Sequence, residues 1–218
     1  MVNGTENPPI ELELTLIRHG YTQWNVERRY LGHTDLPLLP QALIDLSALK
    51  AQPELSGGFW RVYCSDLLRC RETLAYLTPS LEKSTIYDKR LREMNFGEWE
   101  GCTYEQLKDD EQYRSWLDDP DAVTPPGGES WKQFEARLRS FWSELGQAAA
   151  KAPRPLPKVM LPRRVLIVTH GGVIRELLAH TVPGVTFRNA ESPSPGTATL
   201  LRLLWREGKW GVIGSNYE

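Results

Sequence analysis

Two segments close an apolar run with histidine and then glycine: Ile17-Arg18-His19-Gly20 and Val168-Thr169-His170-Gly171-Gly172. A neutral imidazole can attack or take a proton through one nitrogen while the other keeps its hydrogen. Glycine lets backbone N–H groups come close to a bound anion. Either short segment alone carries little weight, because a histidine at a strand end is more often structural. Two of them, one preceded by arginine, are harder to dismiss. Open α/β sheets bind ligands at the carboxyl ends of their strands. If the two strands are neighbours, the rings face one another across a pocket.

Two further segments supply matching chemistry. Arg69 lies in Ser65-Asp66-Leu67-Leu68-Arg69-Cys70-Arg71-Glu72-Thr73. It falls in the first turn of a helix, where a helix start and a guanidinium together suit a phosphate. Arg71 points to another face and reads as a surface residue. Leu91 to Gly101 packs Glu93, Glu98 and Glu100 among aromatic residues. A proton donor must be protonated at neutral pH, and apolar surroundings raise a carboxyl pKa. Composition leaves open which glutamate does this; Glu98 reads best as exposed. Cys70 reads as a buried helix thiol. His33 and His180 read as structural or exposed. Trp131 and Trp142 suit a core helix face, and Trp24 and Trp99 a pocket wall.

The elements that must position these groups follow from periodicity. Leu12, Leu14 and Leu16 alternate with Glu11, Glu13 and Thr15, a strand ending at Arg18-His19-Gly20. Helices are expected over Ala42–Leu49, from a Ser65 or Asp66 cap to about Leu77, and over Val173–Ala179. Weak helices are expected near Tyr104–Lys108 and Glu111–Leu117. A long amphipathic helix spans about Glu129–Lys151. Further strands are expected at Trp60–Cys64, Ser84–Tyr87 and in a closing pair, Thr197–Trp205 and Lys209–Ile213. The run Val165-Leu166-Ile167-Val168-Thr169 suits a strand buried on both faces of a parallel sheet. Strands alternating with helices imply an α/β layered fold.

The chain has 218 residues, 40% hydrophobic and 25% charged, with net charge −2. That suits one large domain over 1–218. Residues 1–10 are expected as a loose tail, 100–130 as a pocket-covering insertion, and Pro153–Arg164 as a Pro-rich basic solvent loop. The charge balance gives no sign of a nucleic-acid or membrane partner. The three cysteines argue against a disulfide framework. Without a signal-like start, the expected location is the cytoplasm.

Together these segments resemble the histidine phosphatase superfamily, also called phosphoglycerate mutase-like. The resemblance runs from Leu14 to about Trp210. It rests on Arg18-His19-Gly20 with Thr22 and Trp24-Asn25; Gly32 to Leu38; Ser65 to Thr73; Leu91 to Gly101; Pro126-Gly127-Gly128-Glu129-Ser130; and Val168 to Gly172. It implies a three-layer sandwich: a mostly parallel central sheet with an antiparallel edge strand, and helices on both faces. It also implies His19 as nucleophile, Glu93 as proton donor, and Arg18, Arg69 and His170 as the rest of the phosphate pocket. Asn25 and the Gly171 N–H are implied as further phosphate contacts. No metal and no cofactor are implied, and the four histidines show no ligand spacing such as His-Glu-x-x-His. The implied partner is a small phosphorylated metabolite, bound by a monomer or homodimer.

Phe96-Gly97-Glu98-Trp99-Glu100-Gly101-x-Thr103-Tyr104 with Pro125 to Ser130 is similar to the α-ribazole phosphatase and broad-specificity branches of that family. The implied reaction is metal-independent phosphomonoester hydrolysis through a phosphohistidine, with α-ribazole 5′-phosphate the leading named substrate. A cofactor-dependent phosphoglycerate mutase is the first alternative, and no mutase-type insertion follows Glu93. A non-catalytic phosphate-binding regulator is the second. Retention of His19, Arg18, Arg69, Glu93 and His170 together speaks against it. Three departures stand out: Tyr21 where glutamate is usual, Leu39 where a capping threonine is frequent, and Ala42 where glycine is frequent.

Overall fold

The computed structural model describes residues 10–153, 162–206 and 208–215. In chain order the elements are β1 (Ile10–Arg18), α1 (Gln23–Val26), α2 (Pro40–Lys50), β2 (Arg61–Cys64), α3 (Leu68–Leu77), β3 (Ile86–Tyr87), α4 (Tyr104–Leu107), α5 (Glu111–Asp118), α6 (Trp131–Lys151), β4 (Arg163–Thr169), α7 (Gly171–Thr181), β5 (Ala198–Arg206) and β6 (Lys209–Ser215).

Alternation sets the layers. Leu12, Leu14, Leu16, Val165 and Ile167 pack in one cluster with Phe134, Leu138, Phe141 and Leu145 of α6 and Ile174 and Leu177 of α7. Ile17, Leu166, Val168, Val62 and Cys64 pack in a second cluster with Leu46 and Leu49 of α2 and Cys70, Leu74 and Leu77 of α3. Helices therefore cover both faces of the sheet. Val165, Leu166, Ile167 and Val168 are each 0% exposed, as a strand covered on both sides requires.

The sheet has six strands in the order β3-β2-β4-β1-β5-β6. β1, β2, β3 and β4 pair in parallel, while β5 runs antiparallel to β1 and pairs antiparallel with β6. The sheet is thus mostly parallel with an antiparallel pair at one edge. In the β1–β4 register Ile17 stands opposite Val168 and Arg18 opposite Thr169. His19 and His170 therefore leave adjacent strands side by side.

Several boundaries differ from the sequence reading. β1 begins at Ile10, the last residue of the expected tail; residues 1–9 lie outside the described residues. β3 has two residues, because Pro79–Ser84 winds as a 3-10 helix up to it. α7 begins at Gly171, so both glycines sit in its first turn. β4 starts at Arg163, and Arg163 and Arg164 are anchors, not solvated loop residues. Arg163 Nη2 donates to Ala152 O at 3.1 Å and Pro153 O at 2.7 Å, satisfying carbonyls at the end of α6. Arg164 Nη1 donates to Ser56 O at 2.6 Å. The rest of the expected loop, including Arg154 and Lys158, lies outside the described residues.

Neither Ser65 nor Asp66 caps α3. Its N-cap is Leu67, and the Leu68 N–H donates to Asp35 Oδ1 at 2.6 Å, a cap brought from a distant loop. Asp66 is held instead by a two-pronged Arg92 pair at 2.7 and 2.6 Å. A forked ion pair outcompetes the single hydrogen bond that a cap would supply. Proline at the first position starts α2 without a side-chain cap from Leu39. No helix among the described residues is long and apolar enough to cross a membrane.

Candidate active site

The two histidines meet where the register predicts. Their ring centroids are 5.1 Å apart with planes inclined by 62°. The His19 backbone N–H donates to Thr169 O at 3.0 Å, which ties the end of β1 to β4. His19 Nδ1 lies 2.7 Å from Gly20 O. A carbonyl can only accept, so Nδ1 carries the hydrogen and Nε2 keeps its lone pair. The ring is 3% exposed. Burial, then the charges of Arg69 and Arg18, hold its pKa well below the ordinary histidine value. His19 is therefore a neutral imidazole of defined tautomer, the state a nucleophile needs.

His170 is also neutral. Arg69 Nη2 donates to its Nδ1 at 3.2 Å, and its Nε2 lies 2.9 Å from Ser65 Oγ. Arginine can only donate, so Nδ1 accepts and Nε2–H donates to the serine. Burial, followed by the Arg69 charge, pushes its pKa well below the usual value. A protonated His170 is thus disfavoured in this state, and positive charge falls to the arginines.

Arg69 is 0% exposed in the first turn of α3. Its Nη1 donates to Thr34 O at 3.0 Å and its Nη2 to Gly32 O at 2.7 Å. The chain passes closely there. A Cβ on Gly32 would lie 2.3 Å from both Glu100 Oε1 and Met94 O, so only glycine fits. Thr73, one turn beyond Arg69, accepts from Gly20 N at 3.0 Å and fixes the turn after His19. Arg18 Nη1 donates to Pro193 O at 2.7 Å and Ser192 Oγ at 3.2 Å. Among the described residues, the buried Nε–H groups of Arg18 and Arg69 have no hydrogen-bond partner. Two orphaned cationic donors beside a neutral histidine suit an anion.

The structure also sorts the three glutamates. Glu100 is structural: its Oε1 accepts from His33 N and its Oε2 from Thr34 N, each at 2.7 Å. Glu98 is exposed, as expected. Glu93 reaches the pocket, where Oε2 accepts from Gly172 N at 2.9 Å and Oε1 from Met94 N at 3.0 Å. A Cβ on Gly172 would lie 2.2 Å from Glu93 Oε1, and one on Gly171 would lie 3.3 Å from Arg18 Cζ. The two glycines let the carboxylate and the guanidinium both close on the start of α7, where the helix dipole is positive. Asn25, in α1, does not line the cavity at Glu93 but a neighbouring one that shares Arg18 with it. Its Oδ1 accepts from Thr22 N at 3.0 Å, which leaves Nδ2 as its donor.

A cavity of about 440 Å³ has Arg18, Glu93, Gly171 and Gly172 in its lining; His19, Arg69 and His170 are buried behind them and do not line it. Its walls are Tyr30, Phe96, Trp116, Trp131 and Phe187, with Arg175 and Arg188 at the side. Residues 100–130 contribute Trp116, Leu117 and Pro120. Phe187, Arg188 and Ser192 complete the wall from a segment that carried no periodic signal. Trp99 and Trp24 do not line it. Trp99 is 3% exposed in a small cluster with Leu107 and Tyr113, and the Trp24 ring covers Gly101. Trp131, expected in the core, forms wall and packs on Phe187 with centroids 4.5 Å apart. Cys70 is buried, and burial pushes its thiol up to about 12, so it is inert. Ser65, Thr73 and Asp35 were missed as supports. All three lie inside segments that carry the family resemblance, the signal that could have found them.

Comparison with known proteins agrees with this arrangement. The sequence is 30% identical over 179 residues to the adenosylcobalamin/alpha-ribazole phosphatase of Salmonella typhimurium, covering 80% of this chain and 83% of that one. It is 29% identical to phosphoglycerate mutase-like protein 4 of Arabidopsis thaliana, covering 92% of this chain and 85% of that one. The crystal structure of the alpha-ribazole phosphatase from Shigella flexneri superposes with a TM-score of 0.75 at 25% identity, covering 94% of this chain and 96% of that one. Residues 14–218 match the histidine phosphatase superfamily (branch 1), and the chain belongs to that family.

Proposed function

We propose that this protein hydrolyses phosphate monoesters through a phosphohistidine on His19, without a metal ion. The observation that carries this reading is the neutral His19 ring, its Nδ1–H held by Gly20 O and the ring near enough to Arg69 and Arg18 to feel their charges. Nε2 attacks phosphorus in line with the ester oxygen. Arg18 and Arg69 stabilise charge on the equatorial oxygens, with the Gly171 N–H and Asn25 as further donors. His170 keeps Arg69 aimed. Glu93 gives its proton to the leaving alkoxide, and its carboxylate then takes a proton from the water that attacks the phosphohistidine.

The aromatic walls favour a substrate with a flat leaving group. With the named phosphatase relatives, they support α-ribazole 5′-phosphate as the leading candidate. Residues 100–130 act as its outer wall. The test is hydrolysis, with chelator present, of α-ribazole 5′-phosphate, 3-phosphoglycerate, sugar phosphates and p-nitrophenyl phosphate. Chelator-resistant turnover that falls by about 10³-fold or more in His19→Ala supports the reading. A loss below tenfold would sink the nucleophile assignment. Isomerisation of 3-phosphoglycerate in the presence of a bisphosphate primer, with little hydrolysis, would favour a mutase.

A further inference from the structure

A second cavity, of about 400 Å³, opens beside the first and shares Arg18 and Tyr30 with it. Its other lining residues are Tyr21, Asn25, Arg28, Arg29, Tyr104 and Pro195. Three arginines and three tyrosines line it, and no carboxylate does. Arg29 is tied down: its Nη1 donates to Gly101 O at 2.6 Å and its Nε pairs with Glu27. Arg28 is different. It is exposed, and no hydrogen bond or ion pair among the described residues engages its guanidinium.

Its backbone is unusual too. Arg28 has φ +56°, the one non-glycine residue with positive φ among the described residues. It follows the C-cap of α1, Glu27, and Arg29 N donates to Trp24 O at 2.9 Å across it. That is the left-handed position where a helix end selects glycine. A β-carbon there costs of order 1 kcal/mol. An arginine held at that cost, with its charge open to a cationic cavity, calls for a use of the side chain.

We infer that this cavity is a second anion site, which takes a carboxylate or phosphate group a short distance from the phosphate bound at Arg18. The anion can be a second group on the substrate or a separate inorganic anion. The Tyr21 and Tyr104 hydroxyls add donors, while the Tyr30 hydroxyl is shared with the Tyr113 hydroxyl at 2.7 Å. Tyr30 stays protonated, because burial and its bond to Tyr113 raise its pKa. The inference deepens the function proposed above when the anion belongs to the substrate, and stands apart from it when the anion is free.

The test pairs Arg28→Gly, which removes the charge and the strained β-carbon together, with Arg71→Ala, an equal charge change on the far side of α3. Calorimetric titration with inorganic phosphate is expected to give two sites per chain in the wild type and in Arg71→Ala, and one in Arg28→Gly. One site in all three proteins overturns the inference. If the anion is carried by the substrate, Arg28→Gly raises KM for 3-phosphoglycerate about fivefold more than KM for p-nitrophenyl phosphate. Equal KM changes with loss of the second phosphate assign the site to a free anion. Absence of all turnover with two phosphates still bound would sink the phosphatase reading and leave the site standing.

Discussion

The buried histidine–arginine cluster, the floor of the site, and the wall of the cavity beside it are built in different ways. The floor stands on the ends of β1 and β4 and on the first turns of α3 and α7. His19, Arg69 and His170 are nearly or wholly buried there, and backbone carbonyls or other protein groups fix their nitrogens. The wall rests partly on its own small cluster, Trp99, Leu107 and Tyr113, with Tyr30, Phe96 and Trp116 packed against it. Its helices α4 and α5 are one and two turns long, started by Thr103 and Asp110 caps. Chemistry that tolerates little misplacement sits on the sheet, while surface that can vary sits on a cluster that can repack. The difference makes distinct predictions.

The largest effect is expected in the floor. Arg69→Lys keeps the charge and loses the fork that reaches Gly32 O, Thr34 O and His170 at once. Turnover should fall by about 10²–10³-fold, with kcat affected more than KM. Steady-state kinetics would check this, and a loss of less than about fivefold would show that the floor is less rigid than its hydrogen bonds imply.

A second test uses acid. His19 and His170 have folded pKa values depressed well below 6.5. The unfolded chain therefore takes up protons near pH 6.5 that the folded chain refuses. Stability is complete above that pH and falls below it, by up to about 1.4 kcal/mol per pH unit for each histidine. Denaturant titration between pH 7 and 5 should show the slope, and His19→Asn should remove part of it. The acid limb of kcat/KM governed by His19 should lie below pH 6.5 for the same reason. A limb at or above 6.5 would contradict the neutral ring.

The wall should respond differently. Trp116→Ala removes cavity surface and contacts with Trp99 and Tyr113. KM for α-ribazole 5′-phosphate should rise by roughly tenfold, the equivalent of about 1.4 kcal/mol, with kcat for a small sugar phosphate changed less than threefold. A large kcat loss on the small substrate would mean that wall and floor are coupled.

The smallest effect lies farther along α7. Burial, followed by the nearby charge of Glu135, raises the Glu176 carboxyl to about 7. The folded chain thus binds this proton more tightly than the unfolded one, and the benefit is lost as pH rises through 7. Glu176→Gln should stabilise the protein at pH 8 by roughly 1 kcal/mol, solvent screening included, and leave it unchanged at pH 5. Thermal melts at the two values would decide it, and kinetics should stay unchanged.

The sequence alone determined much of this protein. Period-two alternation in Leu12–Leu16, the run at 165–169 and the helical spacing from about 129 to 151 name faces within single elements, so the layers could be read from them. Arg18, His19 and His170 were legible because they end strands, and Arg69 because it opens a helix. The tertiary structure decided the rest. It placed Glu93 against Gly172 and Glu100 on the His33–Thr34 backbone, capped α3 with Asp35, and set the tautomer of His170 through Arg69 and Ser65, which precede it by about a hundred residues. It moved Trp99 into a separate cluster and brought Phe187 to the wall. Periodicity records how a segment faces its own neighbours. It holds no record of which distant backbone will pass within hydrogen-bond reach, and that proximity fixes protonation, caps and the shape of the cavity.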